Sequence, residues 1–359
     1  MIWVLLVFVF IVGACVGSFL NVAIARLPLE KSLLWPSSRC GACLQPIRSY
    51  DNLPLISYLW LRGRCRSCGQ SYSIVYLLVE LATGLGFAGL FWLEVVRNIH
   101  GWPGHRPFAA EIAVFPLTTW LGFLWHAALF SFLMVASVCD LRSREIPLQL
   151  TLTGTLIGLI GSICMPWPMP HDPAIAAPPP VNGVAAFGWQ VGRAPLEGIY
   201  PWPFWGPLPA WFAPGGNWQT GLATGVLGAL VGTFLLRIIG FVFSKGLGKD
   251  ALGLGDADLM MMAGAFLGWQ VVVVSFFLSV IPALVFGIIL WVVRNDRSLP
   301  FGPSLSASVM VTCLAWKPIG QHVRAIFFWG DVLLWGSVLC LGVMFLMAAL
   351  LKFFRGNEA

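Results

Sequence analysis

The chain has 359 residues, 58% of them hydrophobic and only 10% charged. A soluble globular domain carries about 25% charged residues, so this balance excludes a soluble enzyme and points to a polytopic membrane protein embedded in a lipid bilayer. The formal net charge of +6 is distributed beside apolar runs, where it sets topology, and it is not read as a nucleic-acid footprint.

A spanning helix needs about 20 apolar residues. In chain order the candidates are Ile2–Ile24, Tyr72–Val95, Phe115–Val138, Ile146–Met165, Gly221–Phe243, Ala257–Trp269, Gln270–Val293, Phe301–Trp316 and Phe327–Leu351. Ala257–Trp269 is short enough to be tilted or re-entrant, Phe301–Trp316 is short and carries Pro303, and the last stretch lies beyond the functional core. The expected fold is therefore all-α, with eight or nine transmembrane helices. The first run ends near "VGAC" at Cys15, faintly like a lipoprotein cleavage box. No Lys or Arg precedes it, so it lacks the charged start of a signal peptide and is read as a retained span.

The organisation that follows is a first transmembrane helix at 1–24, a loop domain at 25–71 and helices carrying Asp140 at 72–165. A Pro/Trp-rich insert at 166–220 and helices carrying a Gly-x-Gly-Asp motif at 221–359 complete it. The loop holds Arg26, Lys31, Arg39, Arg48, Arg62, Arg64 and Arg66. Positive charge stays cytoplasmic, which places this loop inside and the N-terminus outside. Threading nine spans then puts Arg142, Arg144, Lys245, Lys249, Arg294, Arg297, Lys352 and Arg355 inside, and Arg97, Arg106, Arg193, Lys317 and Arg324 outside. That asymmetry favours nine spans over eight. It also places both Asp140 and Asp256 at the cytoplasmic face and the insert outside.

The loop carries "CGAC" (Cys40, Cys43) and "CRSC" (Cys65, Cys68). One CxxC knuckle brings two sulfurs to a single ion, and two knuckles complete a tetrahedron of thiolates. In a cytoplasmic loop disulfides do not persist, so structural zinc is the reading, with no open position for catalysis. The metal supplies much of the folding energy of so small a segment. Cys15, Cys139, Cys164, Cys313 and Cys340 read as small core residues; no histidine lies near Cys139 in sequence to activate it. The insert ("WPMPHDPAIAAPPP", "YPWPFWGPLPAWFAPGGNW") is too proline-rich for a regular helix or central strand, and is read as surface decoration with tryptophans at the membrane interface, ahead of a partner-binding lid.

Two acidic sites remain. Asp140, in "SVCDLRSREIP", closes the third span. Asp256 and Asp258, in "GLGDADLMMM", follow Gly253 and Gly255, which allow the backbone to bend or approach closely. Ionisable groups at a membrane are functional candidates. Two such carboxylates meeting in a dry site share a proton, the arrangement of an aspartic protease. Spacing alone leaves two alternatives. One is ordinary helix-capping charge, with Arg142 and Arg144 pairing to Asp140. The other is a proton or cation path, which prefers mid-span carboxylates, and only Glu80 and Asp331 approach that depth.

The ordered set "VGSFLNVAIARLP", "CGAC", "YDNLPLISYLWLRGRCRSCG", "YLLVELATG", "CDLRSREIP", "GLGDADLMMMAGAFLGW" and "PFGPSLS", from Val16 to Ser306, resembles the bacterial type IV prepilin peptidases, membrane aspartic proteases of the GxGD type. The resemblance implies that Asp140 and Asp256 are the catalytic pair. It implies as substrates the prepilins and pseudopilins of type IV pili or type II secretion, cut after a short basic leader that stays cytoplasmic, and as location the bacterial inner membrane. It further implies N-methylation of the new N-terminus with S-adenosyl-L-methionine, an activity linked to the cysteine-bearing region. A peptidase-only member of the family is the alternative. A transporter or scaffold of a secretion system is the alternative from another class. The chain departs from the pattern at Asp250, where members carry Glu, and at Asp258, where they commonly carry Lys. Asp258 either raises the pair's pKa or, as is expected, lies on a solvated face. For Glu80, within an apolar span, a structural hydrogen bond inside the bundle is expected ahead of a role in methyl transfer, and no glycine-rich loop places the methyl donor.

Overall fold

In the computed structural model the described residues are 1–101, 114–164, 181–184, 190–192, 218–247, 253–294, 300–319, 323 and 331–356. Asp250 and most of the 166–220 insert fall outside them. Helix dominates what is described, as expected. Five helices are long and apolar enough to cross a membrane, within Ile2–Leu29, Val75–Val96, Thr119–Ser143, Gly221–Lys245 and Trp269–Ile289. Shorter apolar helices occur at Leu148–Cys164, Gly302–Leu314 and Trp335–Met347. Large apolar side chains such as Val4, Phe8, Leu284 and Ile288 are exposed, as lipid-facing residues must be when no aqueous core is available to hide them.

Two compact units divide the chain, Met1–Leu150 and Thr151–Ala359. In the first, helix Ile2–Arg26 lies along helix Val75–Leu90. Apolar residues surround the first helix, so hydropathy does not choose its inner face; small residues do. A Cβ on Gly13 would strike Phe87 and the Thr83 carbonyl, and one on Gly17 would strike the Glu80 backbone. This Gly13-x-x-x-Gly17 seam lets two helices approach closely where apolar attraction between them is weak. Helix Leu117–Ser143 completes the unit. Phe87 meets Phe123 and Phe130 with ring centroids 6.3 and 6.4 Å apart.

The second unit contains helices Leu148–Cys164 (from Thr151), Trp218–Leu247, Leu254–Leu267, Trp269–Leu278, Val280–Arg294, Gly302–Leu314 and Asp331–Gly356. Its tightest seam runs between Trp218–Leu247 and Leu254–Leu267. Gly228 and Gly264 face one another so closely that a Cβ on either would overlap the other's carbonyl, and Gly232 faces the Met260 carbonyl in the same way. Ser162 reaches across to donate a 2.7 Å hydrogen bond to the Ala265 carbonyl. The run expected as a span over Ala257–Trp269 is a 14-residue helix that ends at Gly268, whose φ of +82° breaks it before Trp269. From Ala257 to Leu267 all its residues but Met261 are buried, so it is a core helix enclosed by its unit, too short to cross on its own.

Two further expectations change. The insert includes a short antiparallel ribbon, Val181–Val184 with Gln190–Gly192. These two pieces are free of proline, so the ban on ladder pairing does not reach them. Of the five scattered cysteines only Cys139 and Cys313 are buried; Cys15, Cys164 and Cys340 are exposed, as apolar side chains on a lipid-facing surface can be.

Candidate active site and metal centre

The cysteine loop is built from two matching knuckles. In the first, the Cys40 N–H donates to Gln45 O and the Leu44 N–H to Cys40 O, with Leu44 left-handed at φ +58°. In the second, the Cys65 N–H donates to Gln70 O and the Gly69 N–H to Cys65 O, with Gly69 at φ +70°. Each turn points two sulfurs the same way. The Sγ atoms of Cys40 and Cys68 are 3.8 Å apart, those of Cys43 and Cys65 4.0 Å, and all four lie within 4.8 Å of one another. Four sulfurs at bonds of about 2.3 Å around one zinc stand about 3.8 Å apart, so the donor set fits that ion. Backbone N–H groups of Cys43 and Ala42 bring the Cys40 thiol down to about 6. The Gln70 N–H pulls Cys68 the same way, but burial and the neighbouring sulfurs push it up to about 11. A Cys40 thiolate would take the first bond to a metal, and a bound metal would complete the deprotonation of the others. Four thiolates around a divalent ion leave a net −2, and Arg39, Arg64 and Arg66 adjoin the ligands in sequence.

Between this loop and the helices of the same unit lies a cavity of about 630 Å³. Its wall includes Asn21, Asp51, Tyr58, Arg66, Tyr72 and Glu80. Glu80 Oε2 accepts the N–H of Leu55 at 2.8 Å, fixing a residue held at φ +62°. The hydrogen bond expected of Glu80 inside the bundle is instead one that ties the loop to the helix. Arg66 grips Asp51 through Nε and Nη2 at 2.6 to 3.1 Å, which holds that carboxyl below its usual range. Tyr72 meets Tyr58 and Tyr76 edge-on, at 5.2 and 6.1 Å. Burial pushes its phenol up, keeping it a neutral donor. Sequence reasoning did not find this cavity, because its wall is gathered from the first helix, the loop and the second span.

Asp140 sits in the last turn of helix Leu117–Ser143 and is 7% exposed. The helix closes on Arg144, left-handed at φ +59°, whose N–H returns to the Asp140 carbonyl at 3.0 Å. Asp256 occupies the first turn of helix Leu254–Leu267, after the N-cap Gly253, and is half-buried. A Cβ on Gly253 would lie 3.5 Å from its Oδ2, an ordinary van der Waals contact. A helix N-terminus favours negative charge there. One aspartate thus belongs to each unit.

Asp258 corrects the expectation of a solvated face. It is 9% exposed and takes a 2.9 Å ion pair from Arg237 Nη2. A buried carboxylate requires such a partner. Arg237 is missed by the sequence analysis, although a lone charge inside the Gly221–Phe243 run was the available signal.

Residues 11–93 match the bacterial peptidase A24 N-terminal domain, and residues 204–288 match the type IV leader peptidase family. The chain is 31% identical over 322 residues to a prepilin leader peptidase/N-methyltransferase of Pectobacterium carotovorum subsp. carotovorum, covering 82% of this chain and 88% of that protein. The chain belongs to the type IV leader peptidase family. Further family members of the same description come from Myxococcus xanthus, 32% identical over 79% of this chain and 62% of the relative, and Aeromonas salmonicida, 28% identical over 87% and 91%. No solved structure matches. The two family matches cover the four cysteines, Glu80 and Asp256, while Asp140 lies outside both.

Proposed function

We propose that this integral membrane protein is a bifunctional enzyme. It is an aspartic endopeptidase that removes the leader of type IV prepilins or pseudopilins, and a methyltransferase acting on the N-terminus so exposed. The observation that carries this is the 31% identity to a prepilin leader peptidase/N-methyltransferase over nearly the whole of both chains. The presence of a four-cysteine loop and a GxGD aspartate in one chain supports having both activities.

For cleavage, Asp140 and Asp256 act as a pair that holds one proton between them. The ionised member takes a proton from water, the hydroxide attacks the scissile carbonyl, and the protonated member donates to the developing oxyanion. The tetrahedral species then collapses, the C–N bond breaks and the leaving amine takes up a proton. The clustering of positive charge at 25–71 favours an inner-membrane enzyme with both aspartates at the cytoplasmic face, where a short basic leader stays.

For methylation, the 630 Å³ cavity suits S-adenosyl-L-methionine. Tyr72 and Tyr58 offer aromatic faces and Glu80 a carboxylate for the sulfonium, while the Arg66–Asp51 pair supplies a polar wall. That ligand supplies an electrophilic methyl group. The protein's own part is to bind it, orient it and exclude water, on a loop held in shape by zinc at Cys40, Cys43, Cys65 and Cys68.

The test is incubation of the purified full chain in detergent with a pilin-like precursor and labelled methyl donor. Cleavage followed by label in the mature product is the expected result. Absence of cleavage with several precursors would favour the scaffold alternative, and cleavage without label the peptidase-only alternative.

A further inference from the structure

Three ionisable side chains meet in the first unit, outside the cysteine loop and about 20 Å along the helix from Asp140. One local device assembles them. Helix Val75–Leu90 widens into a π turn over Phe91–Val96. The extra residue in that turn brings Glu94 inward together with Phe91 and Val95, and all three are fully buried. The chain then reverses on two left-handed residues, Asn98 at φ +46° and Gly101 at φ +71°. The N–H of Ile99 returns to Leu93 O at 3.2 Å. This reversal carries His100 back over Glu94, while His126, also fully buried, arrives from helix Leu117–Ser143. Glu94 Oε1 lies 2.8 Å from His126 Nδ1 and 3.3 Å from His100 Nε2. The two rings stand 5.2 Å apart, centroid to centroid. One nitrogen of each lies within 4.8 Å of the other. Glu94 Oε2 is buried without a hydrogen-bond partner.

A carboxylate in an apolar interior needs a cation or a full set of donors. Here both imidazoles converge on a single oxygen and leave the other unmet, which is a poor hydrogen-bonding solution. It is a good coordination set. Two imidazole nitrogens and one carboxylate suit zinc-class divalent ions, whose bonds of about 2.0–2.1 Å set neighbouring ligands about 3.3 Å apart. Oε2 is then placed to share the same ion.

We infer that Glu94, His100 and His126 form a second metal site, for a zinc-class divalent cation, clamping the π turn to helix Leu117–Ser143. It is independent of the proposed peptidase and methyltransferase activities.

The experiment counts metal per chain in the full-length protein after equilibration with buffered zinc. Two zinc ions per chain are expected. The Cys40→Ser/Cys65→Ser variant retains one, and its X-ray absorption carries the scattering signature of imidazole. His100→Gln and Glu94→Gln each lower the count from two to one. His100, at the edge of the cluster, is the variant less prone to misfold and decides the matter if Glu94→Gln does not fold. A wild-type count of one overturns the inference, as does a count of two in His100→Gln or a bound ion without imidazole scattering.

Discussion

The two units of this protein use the same helix seam for opposite ends. In the first, Gly13 and Gly17 bring helix Ile2–Arg26 against the backbone of Thr83 and Glu80. Glu80 there reaches the loop through the Leu55 N–H, while Thr83 stays buried and donates to the Val79 carbonyl. In the second, Gly228 and Gly264 meet backbone to backbone, and the helix behind Asp256 is sealed from Ala257 to Leu267, with Met261 alone less than buried. The first unit builds a pocket between its loop and its helices. The second builds a dry support for one carboxylate. The contrast teaches that a close glycine seam is a neutral device: what each unit presents depends on the polar residues set beside it. It also predicts that the two activities can be separated by mutation.

The largest expected effect comes from Asp140→Asn or Asp256→Asn. Either lowers leader cleavage by about 10³-fold or more, since an amide can serve neither as the proposed general base nor as the proposed acid of the pair. Methylation of a pre-cleaved pilin peptide persists. Gel-based cleavage and label incorporation on the same preparations read both, and normal cleavage in either variant ends the paired-acid mechanism.

Next in size is the Cys40→Ser/Cys65→Ser variant, which is expected to lose the zinc proposed for the loop and to lower methyl transfer at least about tenfold, since a segment so small would depend on the metal for its fold. Cleavage stays within about threefold of wild type. Equal loss of both activities would show that the loop also serves the peptidase and would dissolve the comparison.

Gly264→Val drives a branched side chain into the Gly228 backbone and destabilises the second unit by about 3 kcal/mol or more. Gly336→Ala, with open space around its Cβ, leaves the melting temperature unchanged. Thermal unfolding in detergent compares them, and a stable Gly264→Val protein would mean that the seam is not close-packed.

The smallest effect belongs to the Arg237–Asp258 pair. Arg237→Gln costs about 1–2 kcal/mol, less than a fully buried pair because the Arg237 side chain is half exposed. Asp258→Asn keeps most of the cleavage activity. If Asp258→Asn abolishes cleavage while Asp256→Asn does not, the catalytic carboxylate has been assigned to the wrong aspartate.

Much was legible in the sequence, for stated reasons. The low charge and the apolar runs determined an all-α membrane protein, because only helices satisfy their own backbone in lipid without closing a barrel. The spacing Cys-x-x-Cys twice over pointed to a four-sulfur cluster able to hold a metal, because each knuckle's geometry is local. Ordered motifs pointed to the family. What the sequence could not decide is which way residues face on helices that are apolar all round. Asp258 was expected to be solvated and is buried against Arg237, two residues from Asp256 and 21 positions from its partner. Glu94, His100 and His126 are unremarkable in one dimension, and only the π turn and the reversal at Asn98 and Gly101 gather them. Those placements depend on contacts between distant segments, and the side of a uniformly apolar helix that turns inward is chosen by its neighbours in space, not by its own periodicity.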